Sequence, residues 1–524
     1  MQRGVSARLS RRGFLGGMAA SAVVLAGCSG GAPEADSAAS GVPSGPRKRG
    51  GTFRFASASF NEATGADPEL LGGGSSFPCY DQLVKWDANQ RLQLELAEEF
   101  APDPKDASTW TIRVRDGVEF HNGKTLGADD VMFTINRILD PKLGAAAAAL
   151  LGAIDPAGLK KLDKRTVRLK LKYPNSQLPD GFTSFCGVVP VGFDPRNPVG
   201  TGAFRQESFI PHQQWAGTRN PHYWRPDSAP YLDRVELIGL SSPVAAVNAM
   251  LSGQVDAIDT VLISQLPRLK QRKDLVVVES QTGSVQFVSM NCRKGQLFED
   301  PRVRKAFKLM LDRQQLVNTI YSGHGAIGND VGVFPQWDSA CDPGLPPPAQ
   351  NLDQARALLR EAGKEGMTVP LRVAELLPGM TETAQVLIEQ AKKIGVTITL
   401  DQVRDNAQFY TGEYYKAQLQ IDYASTMSMY GGAEYYWLSD AGYNAAGYAD
   451  PEVDSLFKQG LAATGAGYDA PLRKVSRIIQ DEGPWLVWGR QNVFSAFTRK
   501  FTGITAGAGG GSLNEYGLWN VSLA

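Results

Sequence analysis

The stretch Arg234–Asp259, RVELIGLSSPVAAVNAMLSGQVDAID, carries the pattern that decides the fold class. Its first residues alternate between apolar and polar side chains, which predicts a β-strand. A helix follows, and Gly253 is a residue of the kind that ends helices. The apolar residues after this glycine predict a second strand. The order strand, helix, strand indicates an α/β architecture.

The same alternation of strands and helices extends through the rest of the chain. TVRLKLKYP, from Thr166, alternates strictly and predicts a strand. STWTIRVRDGVEF, residues 108–120, predicts a hairpin that turns at Asp116-Gly117. GADDVMFTINRIL, residues 127–139, predicts a helix with acidic residues in its first turn. These elements together predict α/β lobes with mostly parallel sheets.

Composition limits the class of protein. The 524 residues are too many for one hydrophobic core, so two or more domains are expected. Apolar residues make up 43% and charged residues 21%, which is typical of a globular protein. Basic and acidic residues balance at 54 each, so no excess of positive charge favours a nucleic-acid partner.

The N-terminus has the features of an export signal. Four arginines precede the first acid, and an apolar run too short to span a bilayer follows them. Ser10–Leu15 resembles the twin-arginine signal, and Leu25–Cys28 resembles the lipobox of bacterial lipoproteins. This resemblance implies a signal peptide over residues 1–27, a lipid on Cys28 and a disordered tether over residues 28–47. The alternative is a buried N-terminal helix with a chance cysteine.

Common enzyme motifs are absent. GHGAIG, residues 323–328, fits the dinucleotide-binding pattern but follows a predicted helix where that motif needs a strand. The four histidines have no second His or Cys at metal-site spacing, so no metal and no cofactor are predicted. A catalytic site built from scattered carboxylates stays open as an alternative. Four cysteines besides Cys28 allow three disulfide pairings.

Several segments, in order, resemble the family 5 extracytoplasmic solute-binding proteins of ABC transporters, the oligopeptide- and dipeptide-binding group. They begin with WTIRVRDGVEFHNGKTLGADDVMFTINRILDP from Trp110 and VGTGAF at Val199–Phe204. RNPHYWRPDSAPYLDRVEL, from Arg219, and LSGQVDAID follow. MNCRKGQLFEDPRVRKAFKLMLDRQQLV, from Met290, and GYADPEVDSLF, from Gly447, continue the resemblance, which covers roughly residues 50–520.

The resemblance implies an α/β fold of two lobes, the type II periplasmic-binding-protein fold. Lobe one would comprise residues 48–285 and 486–524, with an inserted subdomain at about 79–190, and lobe two residues 286–485. Hinge strands are expected near Gln286–Asn291 and Trp485–Trp488, and closure about them would enclose the ligand. Disulfides Cys79–Cys186 and Cys292–Cys341 are preferred because each stays within one lobe, with free buried thiols as the alternative.

The resemblance also indicates which residues contact the ligand. In peptide-binding relatives an Asp within the stretch that corresponds to Ser425–Trp437 pairs with the amino terminus of the peptide. Here the first acid of that stretch is Glu434, which places capture of a free amine in question. Methionine and aromatic side chains indicate an adaptable apolar pocket instead. The predicted ligand-binding residues are Phe77, Tyr80, Gln286, Trp337, Met427, Met429, Tyr430, Glu434 and Trp437.

The expected function is that of a non-enzymatic receptor. A lipid-anchored protein on the outer face of the cytoplasmic membrane, in the periplasmic space, would bring peptides or peptide-like solutes to an ABC permease and its ATPase subunits. The receptor is expected to be a monomer. An oligosaccharide, opine or metal chelate is the alternative ligand. An exported hydrolase and a surface scaffold are the alternatives of other classes.

Overall fold

The computed structural model describes residues 46–57, 66–70, 78–87, 91–225, 230–332, 338–342, 344–463, 467–504 and 517–524. All of them belong to one unit that spans Ala38–Ala524. The signal peptide and most of the tether predicted from the sequence lie outside these ranges. None of the described helices is long and apolar enough to cross a membrane.

In chain order, the strands are β1 (Thr52–Ser57), β2 (Val84–Trp86), β3 (Leu92–Leu94), β4 (Ala97–Asp103), β5 (Asp106–Val114), β6 (Lys160–Lys161), β7 (Thr166–Lys170), β8 (Phe204–Ile210), β9 (Gln214–Arg219), β10 (Arg234–Gly239), β11 (Ala257–Ile258), β12 (Leu275–Ser280), β13 (Val285–Met290), β14 (Gly325–Ile327), β15 (Thr368–Val373), β16 (Thr397–Gln402), β17 (Leu419–Ala424), β18 (Trp485–Gln491), β19 (Val493–Thr498), β20 (Phe501–Thr502) and β21 (Ser522–Leu523).

The α-helices are α1 (Ala128–Leu139), α2 (Pro243–Leu251), α3 (Leu266–Lys270), α4 (Pro301–Met310), α5 (Arg313–Ile320), α6 (Leu352–Glu361), α7 (Met380–Lys392), α8 (Asn406–Phe409), α9 (Met429–Gly432), α10 (Pro451–Ala462) and α11 (Asp469–Glu482). A π-helical turn at Ala433–Trp437 continues α9.

The strand–helix–strand pattern predicted for residues 234–259 is confirmed. It forms β10, α2 and β11, and Gly253 has a φ of 77°, a left-handed conformation that suits glycine. The two strands flank β1 and are both parallel to it. They lie in the sheet of lobe one, whose order is β12-β19-β11-β1-β10-β9-β8. The parallel strands therefore form the middle of a seven-stranded sheet.

The sheet of lobe two has the order β14-β18-β13-β17-β15-β16. Only β15 pairs in parallel, with β16 and β17, while β13 is antiparallel to both β17 and β18. The expectation of mostly parallel sheets is therefore wrong, because both large sheets are mixed. The physical reason is that two connections run straight from one sheet into the other and back, which places antiparallel strands in each.

These two connections form the hinge. The chain leaves the sheet of lobe one after β12 and enters that of lobe two at β13, through residues 281–284. It returns from β18 to β19 through the single residue Asn492. The predicted boundary at 285/286 falls at the start of β13. The boundary predicted at 485/486 falls at the start of β18, so the chain changes sheets only after that strand.

A separate sheet, β4-β5-β7-β6, has its own apolar core within the inserted subdomain. Helix α1 covers this core, and the predicted helix with acids in its first turn is confirmed. The hairpin predicted for residues 108–120 is wrong. Strand β5 already pairs with β4 on one edge and β7 on the other, so residues 118–120 have no free edge to join.

The cysteines do not form the preferred pairs. Cys79, Cys186, Cys292 and Cys341 are all reduced thiols, which corrects the disulfide expectation in favour of its alternative. Cys79 packs in the core of the seven-stranded sheet and Cys186 in that of the subdomain, so different cores hold them. Burial raises the pKa of the Cys79 thiol to about 12, which keeps it protonated and unreactive.

Candidate ligand-binding site between the lobes

The two lobes meet at Tyr430, in α9 of lobe two. Its hydroxyl donates to the carbonyl of Leu150 at 2.9 Å and accepts from the Nδ2 of Asn175 at 3.0 Å. Both partners belong to the inserted subdomain of lobe one. Tyr430 is buried, so this pair of hydrogen bonds lies inside the contact and not at its rim. The structure is therefore a closed form, in which the lobes touch directly.

Further hydrogen bonds join the same two surfaces. Ser428 Oγ donates to the carboxylate of Asp180, and the hydroxyl of Tyr435 donates to the carbonyl of Ala146 at 3.2 Å. The backbone N–H of Ser176 donates to the carbonyl of Leu461 at 2.8 Å. Because all these bonds are made between the lobes, opening the hinge would expose every one of them to water.

The methionine and aromatic residues predicted around this contact occupy different depths. Met429, Tyr430 and Trp437 are buried in the apolar core of lobe two, whereas Met427 packs against that core and is partly exposed. Trp437 lies with its ring centroid 6.3 Å from that of Trp485. Among these predicted residues, Tyr430 hydrogen-bonds through its side chain to the opposite lobe. Direct ligand contacts stay a prediction.

Glu434 is partly buried on the π-helical turn. Burial, and then the nearby charge of Asp440, raises the pKa of Glu434 to about 7. It also acts electrostatically on Tyr173, which belongs to the inserted subdomain. Glu434 therefore lies close to the boundary between the lobes, as the resemblance implies for this stretch.

Two other predicted residues are engaged within single lobes. Tyr80 is buried in the core of lobe one, donates its hydroxyl hydrogen to the carbonyl of Ala66 at 2.7 Å and packs edge-to-face on Phe193. Gln286 is fully buried at the start of β13, where its amide donates to Pro378 and accepts from Thr383. Their role in ligand binding stays a prediction. Phe77, Trp337 and Cys28 lie outside the described residues.

The carboxylates that meet near Ser428 were not predicted from the sequence. Asp180 comes from the inserted subdomain, and Asp338 accepts from the backbone N–H of Met429 at 2.8 Å. Burial raises the pKa of both, that of Asp180 to about 7. No sequence signal could have found them, because Asp180, Asp338 and Ser428 come from three distant segments.

A further buried carboxylate ends the parallel strands of lobe one. Asp259 follows β11, beside Ser57 at the end of β1, and interacts with the hydroxyls of Ser57 and Thr260. Its Oδ1 has no hydrogen-bond partner, and burial raises the pKa of this group to about 6. The carboxyl ends of parallel strands are where open α/β sheets bind their ligands. Asp259 is therefore a candidate site residue on lobe one.

Tyrosines surround another buried carboxylate in lobe two. Asp422, in β17, accepts from the hydroxyls of Tyr410 at 3.1 Å and Tyr414 at 2.6 Å. Tyr436 interacts with this carboxylate and lies beside Tyr435, which also contacts lobe one. This aromatic group flanks the lobe contact and offers ring faces that suit apolar, aromatic or sugar groups.

Polar contacts also cross the hinge itself. Glu279, in β12 of lobe one, accepts from the Nδ2 of Asn492 at 2.8 Å and lies 3.0 Å from the Nδ1 of His324 in lobe two. The ring of His324 packs edge-to-face on Phe494 in β19. These contacts link the lobes beside both connecting segments. In the described ranges no group of three His, Cys, Asp or Glu side chains could hold a metal ion.

We expect the ligand-free protein to lose stability as the pH rises from 5 to 7. Burial raises the folded-state pKa of Asp180 and Glu434 to about 7, of Asp259 to about 6 and of Glu69 to about 8. In this window the folded state binds more protons at these groups than the unfolded state, so their contribution is full near pH 4 and is lost on deprotonation. Burial lowers the pKa of His121 to about 4 and that of Lys308 to about 7, and both groups oppose the trend.

Urea unfolding at pH 5, 6 and 7 measures this effect, and each raised group contributes up to about 1.4 kcal/mol per pH unit. Asp180→Asn should flatten the slope because it removes one of the groups. A stability that rises across the window would show that the carboxylates are ionised in the folded state.

Comparisons with known proteins identify this arrangement. The profile of the bacterial extracellular solute-binding proteins, family 5 Middle, matches residues 91–448. The glutathione-binding protein GsiB of Escherichia coli K12 is 23% identical over 463 residues, which cover 81% of this chain and 86% of GsiB.

Solved structures show the same fold. DppA from Helicobacter pylori, in complex with the peptide STSA, superposes with a TM-score of 0.75 at 20% identity, covering 91% of this chain and 98% of DppA. AgaA from A. tumefaciens R10, in complex with agropinic acid, gives 0.73 at 23% identity, covering 90% and 99%. The two-lobed type II periplasmic-binding-protein fold predicted from the sequence is confirmed. The chain belongs to the family 5 bacterial extracellular solute-binding proteins.

Proposed function

We propose that this protein is the substrate-binding lipoprotein of an ABC importer. It captures peptides or peptide-like solutes between its lobes and delivers them unchanged to a membrane permease. The observation that carries the proposal is the closed contact at Tyr430, where one hydroxyl joins the lobes through Leu150 and Asn175. A hinge of two short connections and a polar contact between the lobes form the two-state element that ligand binding needs.

The remaining parts of the proposal rest on the N-terminal sequence and on the family. A lipid on Cys28 would hold the receptor on the outer face of the cytoplasmic membrane, beside the permease and its ATPase subunits. A lipid-anchored monomer that binds without turnover suits a family whose relatives include glutathione- and peptide-binding proteins. An opine is the second candidate ligand, because AgaA binds agropinic acid and the Ser425–Trp437 stretch has no acid before Glu434.

The test is a calorimetric and thermal-shift screen of the full-length protein against di- to octapeptides, glutathione, opines, oligosaccharides and nickel chelates. A ligand at a hundredfold excess over its Kd should stabilise the protein by about 2.7 kcal/mol. Mass spectrometry of the recovered ligand separates a receptor from a hydrolase, since a receptor returns it intact. Peptide binding supports the main proposal, binding of an opine alone favours the second candidate, and cleavage of the ligand contradicts both.

Tyr430→Phe should weaken ligand binding without unfolding either lobe. The variant loses two hydrogen bonds that exist only in the closed form, at about 0.5–1.5 kcal/mol each, so closure becomes less favourable by about 1–3 kcal/mol. Because apparent affinity falls with the closed fraction, Kd should rise about 5- to 150-fold. Calorimetry on the best ligand of the screen measures it.

Tyr448→Phe is the matched control. Tyr448 is also buried in lobe two, but its hydroxyl donates to Asp450 at 3.0 Å within the same lobe. Its loss should lower the free energy of unfolding and leave Kd unchanged. Equal Kd values for Tyr430→Phe and the wild type would show that the Tyr430 contact does not contribute to closure.

A further inference from the structure

Among the described residues, two acids at the contact between the lobes have no cation beside them. Asp180 is 8% exposed, and the groups that act on it are Ser428, Asp338 and Trp86, none of them cationic. Asp338 likewise interacts with backbone N–H groups and with another acid, Asp469. Two carboxylates therefore face one another across the closed lobes.

Three other buried carboxylates of the described residues each have an arginine partner. Asp330 is paired with Arg313, Glu95 with Arg225, and Glu69 with Arg137. An unpaired buried charge is costly, so folded proteins normally supply a partner. Asp180 and Asp338 lack such a partner, as Asp259 and Asp422 do, but Asp180 and Asp338 lie at the contact between the lobes, where a bound solute can supply the cation.

A separate observation points to the same place. Tyr468, at the start of α11, is 7% exposed and its hydroxyl has no hydrogen-bond partner. The charged groups that act on this hydroxyl are, in order, Asp338 and Asp180, with Tyr430 and Asp469 after them. A buried hydroxyl without a partner costs about 1–3 kcal/mol, so a solute group that hydrogen-bonds to it would remove that cost.

The chemistry of these groups selects the ligand group. Two carboxylates and a hydroxyl present oxygen acceptors from both lobes, and a primary ammonium has three N–H donors to satisfy them. A calcium ion takes six to eight oxygens, and within the described residues no group of three His, Cys, Asp or Glu side chains could hold a metal ion. Asp180 comes from lobe one and Asp338 from lobe two, so a cation held by both would favour closure directly.

We propose that Asp180 and Asp338, together with the Tyr468 hydroxyl, bind a primary ammonium group of the transported solute between the closed lobes, an inference that rests on the proposed transport function. The two acids contact Ser428 and Met429. These two residues belong to the stretch Ser425–Trp437, which has no acid of its own before Glu434. Acids from the facing lobe and from a distant loop thus supply the charge that the stretch lacks.

The test compares amines with their acetylated forms by calorimetry on the full-length protein. The pairs are trialanine and N-acetyl-trialanine, glucosamine and N-acetylglucosamine, and cadaverine and its diacetyl derivative. In at least one pair the free amine should bind at least about tenfold more tightly, the value of one charge-assisted hydrogen-bonded contact. Binding should release protons, detected as a dependence of the measured heat on the buffer, because the ammonium replaces protons held by the carboxylates.

Variants assign the effect to these residues. Asp180→Asn and Asp338→Asn keep the shape and remove the charge, so each should weaken amine binding about tenfold or more. Tyr468→Phe should weaken amine binding by a smaller factor while stabilising the ligand-free protein, because it removes an unsatisfied buried hydroxyl. A purely structural hydroxyl would leave the amine affinity unchanged. Asp469→Asn is the matched control, since Asp469 is adjacent but is paired with Arg473 and more exposed.

Each outcome decides the proposal. Equal binding of the amine and its acetylated form in every pair that binds, or full amine affinity in Asp180→Asn and Asp338→Asn, overturns it. If only neutral or anionic solutes of the broader screen bind, the transport function stands and the ammonium subsite is wrong. If no solute of either panel binds at millimolar concentration, both are overturned.

Discussion

Gly202→Ala is expected to leave little soluble folded protein. A Cβ at Gly202 would lie 2.5 Å from the carbonyl carbon of Cys79, 2.5 Å from the oxygen of Pro78 and 2.7 Å from the nitrogen of Tyr80. These are backbone atoms, so no side-chain rotation can relieve the overlap. We expect a loss of about 3 kcal/mol or more in the free energy of unfolding, the upper end for overpacked sites.

The overlap also breaks a network of hydrogen bonds. The carbonyl of Gly202 accepts from the Nε2 of His121 at 2.9 Å and from the Nδ2 of Asn220 at 3.1 Å, and its N–H donates to Cys79 at 3.0 Å. His121 accepts at Nδ1 from the N–H of Gly200, at 3.3 Å, which fixes the ring as the neutral Nε2–H tautomer. His121 therefore connects the backbone of Gly200 to that of Gly202 through its two ring nitrogens, and its role in the described structure is to position this turn.

Circular dichroism melts of Gly202→Ala and of Gly412→Ala would measure the effect. A Cβ at Gly412 has nothing within 4 Å, so that control should change stability by less than about 1 kcal/mol. Similar melting temperatures for the two variants would mean that the backbone at Cys79 can move aside.

Arg313→Met should destabilise lobe two by about 3–5 kcal/mol, the cost of leaving one buried charge without its partner. The Arg313 guanidinium pairs with Asp330 and donates to the carbonyl of Pro348 at 2.8 Å. Asp330 is fully buried and also accepts from the N–H of Val487 in β18, at 2.9 Å. Burial raises the pKa of Asp330, and the Arg313 charge opposes that rise, so removing Arg313 leaves an acid that must take up a proton.

Arg302→Met provides the comparison. Arg302 pairs with Asp300 at 2.6 Å, but its side chain is 48% exposed, so its loss should cost less than about 1 kcal/mol. Urea unfolding of both variants measures the difference. A loss below about 1 kcal/mol for Arg313→Met would show that Lys308, which also acts on Asp330, replaces the missing charge.

Local patterns predicted the elements that local physics controls. The order of β10, α2 and β11 followed from alternation and from a glycine that ends the helix, and helix α1 followed from its apolar face and acidic first turn. Such features depend on near neighbours in the chain, so the sequence expresses them directly.

Local sequence patterns did not predict which distant strands pair with one another. The false hairpin at residues 108–120 had a correct turn, but both edges of β5 are taken by strands that are remote in the sequence. The proportion of parallel pairs was also wrong, because the chain enters lobe two through β13 and leaves it through β18, so these neighbouring strands run in opposite directions. The even number of cysteines suggested disulfides, but Cys79 and Cys186 lie in different cores that keep them apart.

For the site, the sequence located the stretch Ser425–Trp437 and showed that it has no acid before Glu434. It also predicted the family and the two-lobed fold correctly. Only the tertiary structure decided which charges reach that region, since Asp180, Asp338 and Tyr468 come from three separate segments that folding brings together. Electrostatic energy depends on distance in space and on burial, and neither quantity is encoded in the order of residues along the chain.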